Sequence, residues 1–198
     1  PDLPMAHILP HWNWPERKGQ VTPVHVYTSG DEAELFLNGK SLGRKKKGQY
    51  EYRLRWDSAI YQPGELKVIA YKDSKKWAEE VMKTTGKTYQ LAMTADHPSI
   101  KADGKDLVFI TVKIEDKEKL LVPRSNNQIN FSIEGPGRIV ATDNGDATSH
   151  ESFQSPSRKA YNGLCLVIVA ADKGASGTIT LKAVSKGLKG TSTTIIVQ

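Results

Sequence analysis

The chain has 198 residues, which suits one large or two small domains, and 38% of them are apolar, which is enough for packed cores. No apolar run approaches the ~20 residues of a membrane-spanning helix, so we predict no membrane span. The net charge of +6 is divided evenly, with 14 basic and 11 acidic residues in each of 1–86 and 87–198. The densest basic run, Arg44–Lys47, is expected to be a solvated turn. Without an aromatic stacking motif, this charge predicts no nucleic-acid partner.

Alternation of apolar and polar residues predicts short strands in the first half of the chain. The stretch 33–44, AELFLNGKSLGR, is typical of a β-hairpin, because Asn38 and Gly39 suit the positive φ angles of a type I′ turn. Leu35 and Leu42 are expected to share its buried face. Four further strands are predicted, at Val21–Thr28, Glu51–Trp56, Glu65–Tyr71 and Trp77–Thr84.

A domain boundary is predicted near residues 85–87, because all four Trp residues precede it and the strand pattern restarts after it. Short strands at intervals of about 8–12 residues are typical of antiparallel sandwiches. We therefore predict an all-β chain of two immunoglobulin-like β-sandwiches in tandem, 1–86 and 87–198, with negligible helix. The strands predicted in the second are Tyr89–Ala95, Leu107–Glu115, Ile129–Glu134, Arg138–Thr142, Leu164–Val169, Thr178–Val184 and Thr193–Val197.

The sequence carries no recognisable catalytic or metal-binding motif. Cys165 lies in an apolar strand and is expected in the core. The stretch 143–146, DNGD, lacks the further ligands of a calcium loop and is expected to be a polar turn. We predict no catalytic residue, no cofactor and no bound metal. Acidic residues that could form a glycosidase pair are expected to be surface charges instead; they are Glu32, Glu34, Glu79 and Glu80.

One irregular, proline-bounded stretch precedes the first predicted strand and is rich in large rings. It contains His11, Trp12 and Trp14. Buried apolar area is worth about 25 cal/mol per Å², so two neighbouring indoles are expected to pack on something or to stack on a ligand.

Motifs along almost the whole chain carry a family resemblance. HILPHWNW (7–14), Val24–Tyr27, ELFLNGKSLG (34–43) and YQPGELKVIAY (61–71) resemble the region after the catalytic barrel in glycoside hydrolase family 2, in the multidomain β-galactosidases of Bacteroides-type bacteria. The second half resembles the bacterial immunoglobulin-like, invasin-type domain that ends many of these enzymes. The segments that carry this second likeness are 100–116, 131–146, 153–169 and Gly177–Val197.

The resemblance implies a non-catalytic accessory region cut from a longer polypeptide. The family's catalytic glutamates lie on barrel strands, and a barrel of about 250 residues with alternating helices has no counterpart here. The implied partners are the upstream barrel and the carbohydrate substrate of the parent enzyme, which would cleave terminal β-galactosides. The implied location is the periplasm, the cell surface or the medium. His11, Trp12 and Trp14 are expected to dock the barrel or to reach its sugar rim, with at least one indole exposed in this chain.

Two other classes of protein remain open from the sequence. A carbohydrate-binding module would show coplanar exposed aromatic rings on one sheet face, which Tyr52, Trp56 and Trp77 could supply, although their alternation equally suits a core. A cell-surface adhesin would show repeated immunoglobulin-like modules, whereas the two halves differ from each other.

Overall fold

The computed structural model describes residues 3–198, which are almost entirely β-structure. The chain forms two compact units, Pro1–Thr84 and Thr85–Gln198. Among the described residues the helical structure is limited to a single 3₁₀ turn, Pro15–Arg17, and no helix is long and apolar enough to cross a membrane. The predicted all-β architecture of antiparallel sandwiches is therefore confirmed.

The strands are numbered in chain order. Seven belong to the first unit and nine to the second: β1 Ala6–Leu9, β2 Val24–Thr28, β3 Glu32–Leu37, β4 Lys40–Lys46, β5 Arg53–Trp56, β6 Glu65–Lys72, β7 Lys75–Lys83, β8 Gln90–Ala95, β9 Ser99–Ile100, β10 Val108–Glu115, β11 Gln128–Glu134, β12 Gly137–Asp143, β13 Ser157–Lys159, β14 Leu164–Ala171, β15 Gly177–Val184 and β16 Thr191–Val197.

The first unit packs a three-stranded sheet, in the order β1-β2-β5, on a four-stranded sheet, β4-β3-β6-β7. All its pairings are antiparallel. The β3–β4 turn has the predicted geometry, with φ values of 49° at Asn38 and 78° at Gly39. The Asn38 side chain also accepts a hydrogen bond from the backbone N–H of Glu65 at 2.8 Å, which ties the turn to the neighbouring strand.

Alternation along these strands places one face of each sheet in the core of the first unit. Val24 and Val26 point inward from β2, and Leu35 from β3 is fully buried with Leu42 packed against the same cluster. The shared face predicted for the two leucines is confirmed. The core therefore lies between the sheets, and the intervening residues of β2 and β5 lie on the outer face.

The second unit packs a four-stranded sheet, β12-β14-β10-β8, on a five-stranded one, β13-β11-β15-β16-β9. Its centre is β14, which is buried along most of its length and pairs with β10 and β12. Cys165 lies on this strand in the core, as predicted. The short strand β9 pairs with β16 in parallel, which differs from the antiparallel expectation.

Three strands were not predicted from the sequence. β1 lies in the stretch expected to be irregular, and β9 and β13 have only two and three residues. β9 and β13 hold too few residues for alternation to be recognised. Their partners, which come from distant parts of the chain, define them instead.

Candidate functional site

The rings of His11 and Trp14 form a stacked pair just after β1. Their centroids are 4.3 Å apart and their planes differ by 15°. The indole Nε1–H of Trp14 donates to the carbonyl of His11 at 2.7 Å, and the N–H of Asn13 donates to Nδ1 of His11 at 3.2 Å. Both rings are half-buried. The segment thus presents a partly exposed pair of rings on a backbone fixed by its own hydrogen bonds.

Trp12 points the other way and is a core residue. Its side chain has no exposed surface, packs 4.9 Å from the ring of Tyr61, and donates from Nε1 to the carbonyl of Gln62 at 2.9 Å. The hydroxyl of Thr84 donates to the Trp12 carbonyl at 2.6 Å. The expectation that at least one indole is unusually exposed is therefore wrong, since Trp14 is half-buried and Trp12 fully buried. The chain turns inward after β1, and the Trp12 indole fills the space between the sheets. Trp12 anchors the segment, and only His11 and Trp14 can meet a partner.

The aromatic face considered for a carbohydrate-binding module does not form. Trp56 is buried in the first core, and Trp77 is half-buried with its Nε1–H donating to the hydroxyl of Ser29 at 2.8 Å. Tyr52 alone is well exposed, at 68%, because β5 begins only at Arg53 and Tyr52 lies outside its alternation. Three coplanar rings on one sheet face are thus excluded.

The candidate carboxylates of the first unit are engaged in separate surface interactions. Glu32 pairs with Arg44 at 2.6 Å, and Glu34 accepts a hydrogen bond from Ser41. Glu80 accepts from the N–H of Ile8, and Glu79 pairs with Lys76 and Lys67 at 2.8 and 3.2 Å. The hydrogen bond from Lys76, followed by that from Lys67, lowers the pKa of Glu79, which disfavours the protonated form that a general acid requires. These acids act as surface charges, as expected.

The basic run 44–47 is not a turn, because β4 continues through Lys46. Arg44 also lies over the ring of Tyr71 at 3.7 Å, and Lys45 lies 5.5 Å from the ring of Trp56. Lys47 donates to the carbonyl of Thr28 at 2.8 Å. Lysines protect an edge strand from pairing with other chains. The basic run 44–47, which resembles a turn in sequence, is therefore compatible with an edge strand.

The DNGD stretch forms the polar turn that was expected. Asp143 Oδ1 accepts from the backbone N–H groups of Asn144 and Gly145, and Asp146 Oδ1 accepts from the backbone and hydroxyl of Thr148. Within residues 3–198, no group of three or more His, Cys, Asp or Glu side chains is arranged to hold a metal ion.

A buried cation in the second unit was missed from the sequence. Arg158 is 1% exposed, and its guanidinium donates to the carbonyls of Thr142 and Ser152 at 2.6 and 2.8 Å and to that of Glu151 at 3.3 Å. The Glu151 carboxylate lies 3.6 Å away. Arg158 therefore fastens the long connection between β12 and β13. No local pattern marks it, since the acceptors come from the end of β12 and from the loop that Arg158 holds.

Two tandem β-sandwiches, with no barrel among the described residues, define an accessory non-barrel region. Residues 91–194 match the family described as glycoside hydrolase family 2 C-terminal domain 5, and residues 19–78 match a domain of unknown function, DUF4982. The first match spans more than half of the chain. The chain belongs to glycoside hydrolase family 2, as a C-terminal region of its members.

Relatives of known sequence and structure agree with this membership. The chain is 39% identical over 188 residues to "Beta-galactosidase BoGH2A" of Bacteroides ovatus, covering 95% of this chain and 22% of the relative. It is 33% identical over 151 residues to a "Putative beta-glucuronidase" of Formosa agariphila, covering 73% of this chain and 14% of that protein. Its fold matches a crystal structure of a beta-glycosidase from Bacteroides vulgatus with a TM-score of 0.93 and 31% identity, covering all of this chain and 25% of that one. The chain thus spans a quarter or less of these larger multidomain proteins.

Proposed function

We propose that this region supports the catalytic barrel of a family 2 glycosidase by docking it on the segment 3–14. The 39% identity to a protein named as a β-galactosidase makes terminal β-galactosides the proposed substrates of the whole enzyme. The chain itself supplies no catalytic residue to that reaction. The proposed compartment is the periplasm, the cell surface or the medium, where complex carbohydrates are met.

The observation that carries this proposal is the apolar surface along segment 3–14. Leu3 is 81% exposed, and Met5 and Leu9 are each 43% exposed, directly before the stacked His11–Trp14 pair. Large apolar side chains that are exposed together indicate a surface that meets a partner. The buried anchor of Trp12 holds this surface in one geometry, which lowers the entropy cost of docking.

The test compares Trp14→Ala in the whole enzyme and in the 198-residue chain alone. If Trp14 packs on the barrel, the substitution lowers the melting temperature of the whole enzyme by several degrees more than that of the isolated chain. The KM for a chromogenic galactoside should stay unchanged. Trp12→Ala is unsuitable for this purpose, since it removes a core residue in both proteins.

Two results would contradict barrel docking. A raised KM with an unchanged melting temperature would place Trp14 at the sugar rim instead. Equal losses of stability in the two proteins would show a role within the first unit only. Tyr161→Ala is the control, because Tyr161 is also 43% exposed but lies in the second unit, outside the proposed surface.

A further inference from the structure

A groove of about 430 Å³ runs along the edge of the first unit where β4 and β5 face each other. β4 is an edge strand of the four-stranded sheet and β5 an edge strand of the three-stranded sheet. The volume lies within the usual range of about 300–1,000 Å³ for small-ligand sites. Its charged lining consists of Lys45, Lys46, Arg53 and Arg55 against Glu51 and Asp57, a net charge of +2 (four cations minus two carboxylates).

Two of these four cations are available to a ligand. Arg55 pairs with Asp57 at 2.9 Å, and the ammonium of Lys45 donates to the carbonyl of Arg55. Lys46 and Arg53 have no carboxylate within ion-pair distance among residues 3–198. Arg53 is instead oriented by Nδ1 of His25 at 3.4 Å, and its pKa is raised by a hydrogen bond with Tyr27. Its planar, fixed guanidinium suits paired hydrogen bonds to an anion.

An exposed tyrosine adjoins one of these cations. Tyr52 is 68% exposed and lies between Glu51 and Arg53, which both line the groove. The Tyr52 ring is braced by Tyr27, with centroids 6.2 Å apart, and the Arg53 guanidinium lies 5.5 Å from the centre of the Tyr52 ring. Protection of a sheet edge explains the lysines of β4. It does not explain the exposed ring beside Arg53, because large exposed aromatics are the residues that bind partners.

We propose that this groove binds an acidic saccharide. The Tyr52 ring packs against the C–H face of a pyranose, while Arg53 and Lys46 pair with its carboxylate or sulfate. The choice of a saccharide over another anion rests on membership of a glycosidase family. The site uses none of the residues assigned to barrel docking, so the two proposals stand or fall separately.

Affinity electrophoresis of the 198-residue chain tests this proposal. Native gels contain polygalacturonate, a sulfated galactan (carrageenan) or neutral galactan at equal mass concentration. We expect retardation by one or both acidic polymers, reduced by added salt, and none by neutral galactan. Retardation by polygalacturonate alone would identify a carboxylate as the bound anion. Retardation by both polymers would show that the groove accepts acidic sugars with either a carboxylate or a sulfate. Tyr52→Ala and Arg53→Ala should each weaken binding at least fivefold, and Lys46→Ala about threefold.

The second unit offers a matched control. Tyr89 is 43% exposed and has the Lys117 ammonium 5.6 Å from its ring centre, so Tyr89→Ala and Lys117→Ala remove the same groups outside the groove. These variants should bind as the unchanged chain does. Tryptophan emission checks that the groove variants remain folded, since every Trp lies in the first unit.

Three results would overturn the inference. The first is an absence of retardation by either acidic polymer. The second is equal retardation by neutral galactan, which would exclude a role for the anion. The third is that single-stranded DNA retards the chain as much as the acidic polymers do, and that Tyr52→Ala leaves this retardation unchanged. This result would show that the groove binds polyanions without specificity.

Discussion

Replacing Trp12 by alanine should strongly destabilise the first unit. The buried indole accounts for about 150–250 Å² of apolar area, worth about 4–6 kcal/mol at 25 cal/mol per Å². Trp→Ala changes in cores typically cost about 3–5 kcal/mol, because the cavity collapses only in part. The carbonyl of Gln62 also loses its indole donor. We therefore expect a loss of about 4 kcal/mol, against a total of about 5–15 kcal/mol for a typical domain.

Urea denaturation, monitored by tryptophan fluorescence, measures this loss of stability in the first unit. All four Trp residues lie in the first unit, so their emission reports its unfolding. Trp12→Phe, which keeps an aromatic ring but loses the Nε1–H donor, should cost about 1–2 kcal/mol. Trp14→Ala should cost about 1 kcal/mol in the isolated chain, since it removes a half-buried stacked ring.

The order of these three losses is the test of the reasoning. A loss below about 1 kcal/mol for Trp12→Ala would refute the assignment of Trp12 to the core. A greater loss for Trp14→Ala than for Trp12→Ala would show that the stacked pair, and not the buried indole, holds the segment in place.

Three further predictions concern the second unit. Arg158→Met should lower its free energy of unfolding by about 3 kcal/mol, because the carbonyls of Thr142 and Ser152 lose their donors; an unchanged urea midpoint by circular dichroism would disprove this. Burial raises the pKa of Asp116, but hydrogen bonds from the N–H groups of Gly86, Leu120 and Glu118 outweigh it and lower the pKa overall. The ionised carboxylate therefore stabilises the fold above its unfolded pKa of about 3.9, and this contribution disappears as the pH falls through the lower folded value. Asp116→Asn should be less stable than the unchanged chain at pH 7, with a gap that narrows below pH ~4; a constant gap from pH 7 to pH 2 would contradict the assignment. Burial raises the pKa of Cys165 to about 12, so a thiol reagent should react with it only in denaturant, and rapid labelling of the native chain would show the thiol to be accessible.

Much of the fold could be predicted from the sequence where the signal is local. The Asn38–Gly39 turn depends on two residues that accept positive φ, and the buried strand β14 appears as a continuous apolar run. The lysines of β4 were misread because edge strands and turns both favour exposed charge. Whether these lysines lie in a strand or a turn depends on which segment pairs with them, and that segment lies elsewhere in the chain.

The candidate site was less predictable for a related reason. Trp12 and Trp14 are two positions apart and chemically identical, yet one is core and the other is half-exposed. The path of the backbone between them determines which indole is buried, and the amino-acid composition does not indicate that path. Tyr52 was assigned to a strand face by alternation, but β5 begins only at Arg53, and the Tyr52 ring is 68% exposed. The strand was predicted from Glu51 and begins at Arg53, and a shift of two residues at a strand end is below what alternation can resolve.

The position of β16 has a consequence for synthesis on the ribosome. This strand lies inside its sheet, between β15 and β9, and its residues Ile196 and Val197 pair with Ser99 and Ile100. A contact that joins residues almost a hundred positions apart forms slowly, because a long loop must close first. The five-stranded sheet therefore cannot be completed until residue 197 has left the exit tunnel, whereas the first unit has all of its strands far earlier. During that interval β15 has an open edge where β16 will later pair, so the nascent second unit is open to chaperones and to aggregation.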